Sequence, residues 1–258
     1  MSDWNSKQYL KFEKQRTQPS IDLANRIAVE SPRRLIDIGC GPGNSTKALA
    51  NRFPGCEVLG IDSSPSMIET AREKYPEFSF QLCDASSELS GLPGNYDIVF
   101  SNACIQWIPD HEPLLHNMFA LLAPGGVMAV QLPINQQEPV HRAIRSLAAS
   151  PEWKAYFPNP RSPYSLAPGE YYDILADLTD DFDIWQITYF HTMKSHYDII
   201  EWFRGTGLRP YLDALPSDKE RAVLEQELLD ELVKAYPVQK NGDIILRFPR
   251  LFFTAKAD

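Results

Sequence analysis

The chain has 258 residues with 25 basic and 34 acidic side chains, a formal net charge of −9, and is 43% hydrophobic against 23% charged. That balance excludes a disordered chain, which is poorer in apolar residues, and the length is ample for a sizeable core. The acidic excess argues against general binding to nucleic acid or anionic membrane, which needs clustered Lys and Arg.

The opening Met1-Ser2-Asp3-Trp4-Asn5 is polar, and the longest apolar runs, around 126–132 and 244–253, are too short for a bilayer. No secretory or membrane-spanning segment is expected. Cys40, Cys56, Cys83 and Cys104 share no C-x-x-C spacing, and a large cored chain needs no disulfides, so a reduced, cytoplasmic protein is expected. Over the first 135 residues the pattern alternates. It predicts a helix at 19–29 with Pro19 near its start, a strand at 34–38, a helix at 44–53 and a strand at 57–61. A helix follows from Ser64-Pro65-Ser66 to about Lys74, with Ser as N-cap and Pro in the first turn. Strands at 78–83 and 96–101, a helix at 113–122 and a strand at 127–132 after Pro124-Gly125-Gly126 complete this half. Continuous apolar strands alternating with short helices imply βαβ units and a parallel sheet covered on both faces. The second half reads as a Pro- and aromatic-rich helical insertion over 138–176, a strand at 182–192, helices at 195–208 and 218–236, and a last strand at 244–255. Leu224, Leu228, Leu232 and Tyr236, four apart, form a packing face. No linker is evident, so a single domain is expected: a ligand-binding core at about 19–135, a cap at about 136–180 and 194–240, and the last strands beside them.

The stretch Leu35-Ile36-Asp37-Ile38-Gly39-Cys40-Gly41-Pro42-Gly43-Asn44-Ser45 runs from a strand through three alternate glycines into a helix. Glycines permit positive φ and close approach of a ligand, and the helix start offers unpaired N–H groups. The fit to the dinucleotide fingerprint G-x-G-x-x-G is poor, because the third glycine comes one position early, position 44 is Asn and Pro42 sits inside the loop. The second strand ends at Asp62, placed to accept a ribose's hydroxyls. The third ends at Asp84, placed for an adenine amino group, and the fourth at Asn102, beside the first strand at the switch point. Asp97 precedes the fourth strand and is expected to be structural.

Asp37-x-Gly39-x-Gly41-x-Gly43, Asp62 with Ser63-Ser64-Pro65-Ser66-Met67-Ile68, Asp84-Ala85, Tyr96-Asp97-Ile98-Val99 and Leu122-Ala123-Pro124-Gly125-Gly126 resemble the successive motifs of class I S-adenosylmethionine-dependent methyltransferases. The opening five residues, 102–111, 171–175, 206–210 and 248–252 resemble a branch of that family that forms a monomethyl ester of the tricarboxylate trans-aconitate. The resemblance implies an α/β fold: a doubly wound, mostly parallel, seven-stranded Rossmann-like sheet with one antiparallel strand and a mainly helical cap. It implies S-adenosyl-L-methionine as cofactor, with S-adenosyl-L-homocysteine as product. Gly39, Cys40 and Gly41 would pass under the methionine part, and Asp37 would orient the loop or receive the amino group. Asp62 would take the ribose, Asp84 with Ala85 the adenine, and Asn102 would flank the sulfonium. Gly43, Asn44, Ser63 and Met67 complete the cofactor set. Tyr9 and Arg16 are candidates from the N-terminal segment, Arg16 for the methionine carboxylate.

The implied nucleophile is a carboxylate, already ionised at neutral pH, so no general base and no catalytic residue beyond positioning is expected. The carboxylates that do not react call for arginine. Arg204 and Arg209 flank the Thr206-Gly207 turn and are the preferred candidates, with Gln106, Trp107 and His191 beside them and Arg161, Lys194 and His196 behind. His111/His116 and His191/His196 are five apart, not the i, i+4 spacing of a helical zinc site, so no metal is expected. The partner is a small tricarboxylate, with no nucleic acid or membrane, and the protein is read as a monomer. Three rival readings stay open. A methyltransferase of the same class acting on a carbon or hydroxyl of another metabolite would want a base near the sulfonium. A nucleotide-cofactor oxidoreductase would bind NAD and not S-adenosylhomocysteine, whereas a non-catalytic binding module would bind the cofactor tightly without turnover.

Overall fold

The computed structural model describes residues 13–160 and 162–258, the side chains of residues 13, 14 and 16 excepted. Tyr9, Arg161 and the side chain of Arg16 therefore lie outside the described residues. The chain forms two compact units. The first takes the described residues up to Pro133 together with Pro163–Ile187 and Arg250–Asp258, and the second takes Ile134–Ser162 and Thr188–Pro249. The stretch expected as one insertion at 136–180 is thus divided, because Tyr171 is fully buried in the first unit, its ring 5.6 Å from that of His111 and 5.5 Å from that of Phe253.

The strands are β1 (Arg34–Ile38), β2 (Glu57–Asp62), β3 (Ser79–Leu82), β4 (Tyr96–Asn102), β5 (Leu122–Pro133), β6 (Phe182–Met193) and β7 (Ile244–Lys256), in the sheet order β3-β2-β1-β4-β5-β7-β6. The pairs from β3 to β5 are parallel and β5 with β7 is antiparallel, so the expected mixed seven-stranded sheet is present. Strand order reverses between β1 and β4, which makes the carboxyl ends of those strands the switch point where open α/β sheets bind ligands. The core is apolar on the strands themselves: Leu35, Ile36, Ile38, Ile98, Val99, Phe100, Met128, Ala129 and Val130 are wholly buried, as two-sided packing demands.

The helices of the first unit are α1 (Glu13–Ala24), α2 (Asn44–Arg52), α3 (Pro65–Lys74), α4 (His111–Phe119) and, after Pro163, α6 (Pro168–Leu178). The expected α3 start is borne out: Ser64 is the N-cap, its Oγ accepting the Met67 N–H at 3.3 Å, and Pro65 opens the helix. Two expectations are corrected. α1 ends at Ala24, not at residue 29, and carries Pro19 in its interior instead of near its start. β5 begins at Leu122, so Pro124-Gly125-Gly126 does not precede the strand but bulges within it. The β4 register slips there, Tyr96 facing Leu122 and Ile98 facing Val127. Gly125 has φ 73°, and a Cβ on Gly126 would lie 2.8 Å from the Ala123 carbonyl oxygen and 2.9 Å from that of Tyr96. The glycines permit a bulge that a side chain would block.

The second unit is helical apart from its shares of β6 and β7. It contains α5 (Pro139–Ala148), α7 (His196–Arg204), α8 (Arg209–Ala214) and α9 (Asp218–Ala235). The single helix expected at 195–208 stops at Arg204, because Gly205 caps it and the Thr206-Gly207 turn redirects the chain into α8. The α9 leucines 224, 228 and 232 are buried as a packing face. No helix among the described residues is long and apolar enough to cross a membrane.

Candidate active site

The three alternate glycines all adopt the left-handed conformation, with φ of 74°, 53° and 87° at Gly39, Gly41 and Gly43. Only glycine takes this at little cost. The loop also packs closely. A Cβ on Gly39 would fall 2.2 Å from the Cys104 Sγ, and one on Gly43 would fall 2.7 Å from the Tyr75 ring. Gly39 and Cys40 donate their N–H groups to the Ile61 carbonyl at 2.8 and 2.9 Å, fastening the loop to the end of β2.

Asp62, the last residue of β2, braces the same loop. Its carboxylate accepts the Gly41 N–H at 3.0 Å and the Ser64 N–H at 2.9 Å, linking the glycine loop to the start of α3. Asp37 works from beneath. One of its oxygens accepts both hydroxyls at the start of α2, Ser45 and Thr46, each at 2.7 Å, while the other is buried without a hydrogen-bond partner. Burial pushes the Asp37 carboxyl up to about 6, against the pull of those hydroxyls and with a further upward push from the Asp62 charge. Cys40 and Cys104 lie in the same region, and burial raises both thiols well above their ordinary value, so they stay protonated and are poor nucleophiles.

The other predicted cofactor residues fall along the same sheet edge. Asp84 accepts the Ser86 N–H and Oγ at 2.9 and 2.7 Å, which fixes the turn after β3, and Ala85 beside it is buried. Met67 is buried on α3, and Ser63 is exposed between β2 and α3. Asn44 turns toward α3: its Oδ1 accepts from Lys74 Nζ at 2.8 Å and Tyr75 OH at 3.3 Å. Asn102 ends β4 with its Oδ1 buried and unpartnered, and Ala103 after it holds φ 54°, a strained value for a residue with a Cβ. Gln106 follows in a short 3-10 turn, Ile105–Trp107; its amide N–H donates to the Ala103 carbonyl at 2.8 Å, which leaves its buried Oε1 without a partner. Trp107 is half-buried beside it.

That turn is held from behind by a neutral histidine. His111 Nε2 faces two carbonyls, Ile105 and Ile108, at 2.9 Å each, so Nε2 carries the proton and Nδ1 accepts from the Tyr171 hydroxyl at 2.6 Å. Burial lowers the His111 pKa. Asp97 serves the opposite end of the sheet, accepting the Arg33 and Arg34 N–H groups at 2.7 and 2.9 Å, which agrees with a structural role.

Arg204, Arg209 and His191 belong to the second unit. Arg204 is bound by its own neighbours: Nε and Nη2 reach Glu225 at 2.8 and 2.7 Å, Nη2 also donates to Tyr197 OH at 2.7 Å, and Nη1 donates to Glu201. Four of its five N–H groups are therefore engaged within α7 and α9. This is the geometry of a structural ion pair, not of an open carboxylate receptor. Arg209 donates to Asp213 at 3.3 Å, and His191 stacks on Trp202 with ring centroids 4.6 Å apart. Lys194 pairs with Asp243 at 2.7 Å, and His196 Nε2 bonds the Tyr236 carbonyl at 2.8 Å.

The sequence assigns no role to Gln131 of β5 or to Arg250 of β7, although Arg250 lies in the 248–252 stretch that carries the resemblance. Both are buried, and Arg250 Nη1 donates to Gln131 Oε1 at 3.0 Å. Two arginines interrupt the apolar run 244–253, Arg247 exposed and Arg250 buried, a difference the sequence does not display.

A family model described as a methyltransferase domain matches residues 35–126. A protein of Methylobacterium radiotolerans named trans-aconitate 2-methyltransferase is 44% identical over 99% of both chains. Proteins of the same name from an Enterobacter species and Escherichia coli are 42% and 41% identical, over 100% and 99% of each chain. Among solved structures, the YcgJ protein of Bacillus subtilis superposes with a TM-score of 0.60 at 16% identity over 93% of this chain and 98% of that one. A Haemonchus contortus phosphoethanolamine N-methyltransferase, solved with S-adenosylhomocysteine, gives a TM-score of 0.55 at 20% identity over 93% and 53%. At these identities the likeness is one of fold.

Proposed function

The chain belongs to the family of trans-aconitate 2-methyltransferases and is an S-adenosylmethionine-dependent methyltransferase; from that premise we propose that it methylates a carboxylate of trans-aconitate to form the monomethyl ester. When bound, the cofactor supplies a methyl group on a sulfonium sulfur, open to in-line attack from the side opposite the sulfur. The residues at the sheet edge fit such a ligand. In the glycine loop a side chain on Gly39 or Gly43 would collide with Cys104 or Tyr75 while Gly41 borders open space, and Asn102 Oδ1 and Gln106 Oε1 are buried acceptors without partners. Acceptors are what a cationic ligand requires, and a buried orphan acceptor is otherwise costly. In this reading the Gly39–Gly43 loop, with Cys40 and Asn44, cradles the methionine part, Asp37 fixes the loop, Asp62 with Ser63 and Met67 takes the ribose, and Asp84 with Ala85 takes the adenine.

The state of the histidine beside the candidate turn favours a carboxylate acceptor. His111, the histidine nearest the Gln106–Trp107 turn in sequence, has both ring nitrogens engaged and is kept neutral by burial. A hydroxyl or carbon acceptor would need a proton removed, whereas a carboxylate with a pKa near 4 arrives ionised. The chain's own contribution is then positioning and exclusion of water, worth on the order of 7–11 kcal/mol when the geometry is near-attack. The single observation that carries the proposal is the full-length identity to the trans-aconitate enzymes. The test is transfer of label from S-adenosylmethionine to trans-aconitate, with cis-aconitate, citrate and isocitrate alongside. Base-labile label on trans-aconitate, with much weaker signal on the others, is expected. No transfer despite binding of S-adenosylhomocysteine would overturn the acceptor and leave the cofactor standing.

A further inference from the structure

The first unit holds a buried hydroxyl that its own fold leaves unused. Ser165 Oγ, on the segment that returns to this unit at Pro163, is buried without a hydrogen-bond partner. The backbone on both sides of it is fastened. Tyr164 N–H donates to the Gln106 carbonyl at 2.8 Å, and Leu166 N–H donates at 3.3 Å to the Tyr171 hydroxyl, the one that meets His111 Nδ1. Tyr164 is exposed while the Ser165 hydroxyl is enclosed, so the segment turns its serine inward. The stretch to which it is tied, from Asn102 to Gln106, holds two further unmet atoms. Gln106 Nε2 donates to the Ala103 carbonyl, which can only accept, so the orphan on that side chain is Oε1, and Asn102 adds an unpartnered Oδ1. Between them Ala103 keeps its strained φ of 54°. A buried polar atom without a partner costs stability, and three of them around one strained turn mark a place whose partner comes from outside the chain.

We infer that the Ser165 hydroxyl donates to the reacting carboxylate of the acceptor, at the oxygen that does not attack. The inference rests on the methyltransferase reading above, which sets the sulfonium beside Asn102. Asn102 Oδ1 and Gln106 Oε1 are bare acceptors; they suit a cationic sulfonium and its methyl group, and they repel a carboxylate. An anion that has to reach the same place needs a donor, and the serine supplies one from the adjoining segment. Its strength suits the task. In the transfer one carboxylate oxygen bonds to the methyl carbon, the electron pair of the broken C–S bond stays on sulfur, and no proton moves. A guanidinium gripping both oxygens would hold back the electron pair that has to attack. A neutral hydroxyl on one oxygen fixes the direction of the group and leaves the other oxygen to react. Because it meets one carboxylate of three, Ser165 also decides which of them is methylated.

Ser165→Ala tests this on three readouts. Removing an unmet buried hydroxyl should leave Tm unchanged or raise it, whereas removing a serine that holds the fold together would lower it. Binding of trans-aconitate to the S-adenosylhomocysteine complex, measured by calorimetry, should weaken roughly tenfold to a hundredfold, while affinity for S-adenosylhomocysteine itself stays within about twofold. The third readout is the ester formed. The wild type is expected to methylate one carboxylate of trans-aconitate, and in the variant the share of the other monomethyl esters, separated by chromatography, should rise by about fivefold or more. Ser165→Cys keeps the shape of the side chain with a much weaker donor, and should fall between wild type and Ser165→Ala in both affinity and ester ratio. Unchanged trans-aconitate affinity or an unchanged ester ratio in Ser165→Ala would overturn the assignment, and so would a fall in Tm or an equal loss of S-adenosylhomocysteine affinity. Failure of the wild type to methylate trans-aconitate would instead overturn the reading on which it rests.

Discussion

Asp37 shows how a buried residue converts loop geometry into a dependence on pH. Its folded-state pKa of about 6 stands above the ordinary 3.8, so the native state holds the proton more tightly than the unfolded chain. Stability from this group is complete below pH 4 and is lost as pH rises through 6. Asp37→Asn has no such loss. The stability of the variant minus that of the wild type should therefore climb on the order of 3 kcal/mol between pH 4 and pH 7, read from paired denaturant melts. A flat difference would mean that Asp37 is charged throughout. Arg204 is the second residue-scale case. Because its guanidinium joins Glu201 and Glu225, Arg204→Ala leaves two half-buried carboxylates facing each other. Loss of about 1–3 kcal/mol of stability is expected, and thermal melts check it. The sequence made Arg204 look like a substrate residue through its place beside a turn. What removes it from contention is the pair of partners on α7 and α9, one of them 21 positions away, which no local pattern reveals.

Among the elements, the loop between β1 and α2 was the most legible, because positive φ leaves a glycine signature that other interactions do not imitate. Gly43→Ala combines a φ of 87° with a Cβ 2.7 Å from the Tyr75 ring. Strain of about 1–2 kcal/mol per residue plus displacement of Tyr75 should lower S-adenosylhomocysteine affinity at least tenfold in a titration. The brace between α4 and α6 makes a complementary prediction. Tyr171→Phe deletes the hydroxyl that His111 Nδ1 accepts, leaving a buried nitrogen unpartnered at a cost of about 1–3 kcal/mol. For a chain of this size that is a fall of roughly 2–4 °C in Tm per kcal/mol. Element boundaries were less legible where proline is tolerated against its usual preference. Pro19 lies inside α1, and Pro124 lies in the bulge within β5. At Pro124 the pairing of β5 with β4 on either side of the proline outweighs the local stop signal.

At the scale of the whole molecule the parallel sheet was legible, since strands apolar on both faces alternate with helices. The partition of the second half was not. Tyr171 and its helix look like the rest of the aromatic insertion in sequence, yet they pack with the first unit, while segments 134–162 and 188–249 form the second. Those two segments are fastened to each other by a Trp153 Nε1 bond to Glu227 at 2.6 Å, a Val140 N–H bond to the Tyr236 hydroxyl at 3.2 Å and an Arg247–Glu138 contact at 3.7 Å. A chimera that takes 134–162 alone from a relative 41–44% identical should melt below one that takes 134–162 and 188–249 together. Equal melting temperatures would show that the two segments stabilise the unit independently. The chain crosses between its units at 133/134, 162/163, 187/188 and 249/250, so four crossovers are needed to move the second unit as a cassette. A single gene-conversion tract cannot deliver it without carrying the 163–187 stretch along or breaking a partnership. Inherited change in that unit is therefore expected to accumulate by point substitution more often than by shuffling.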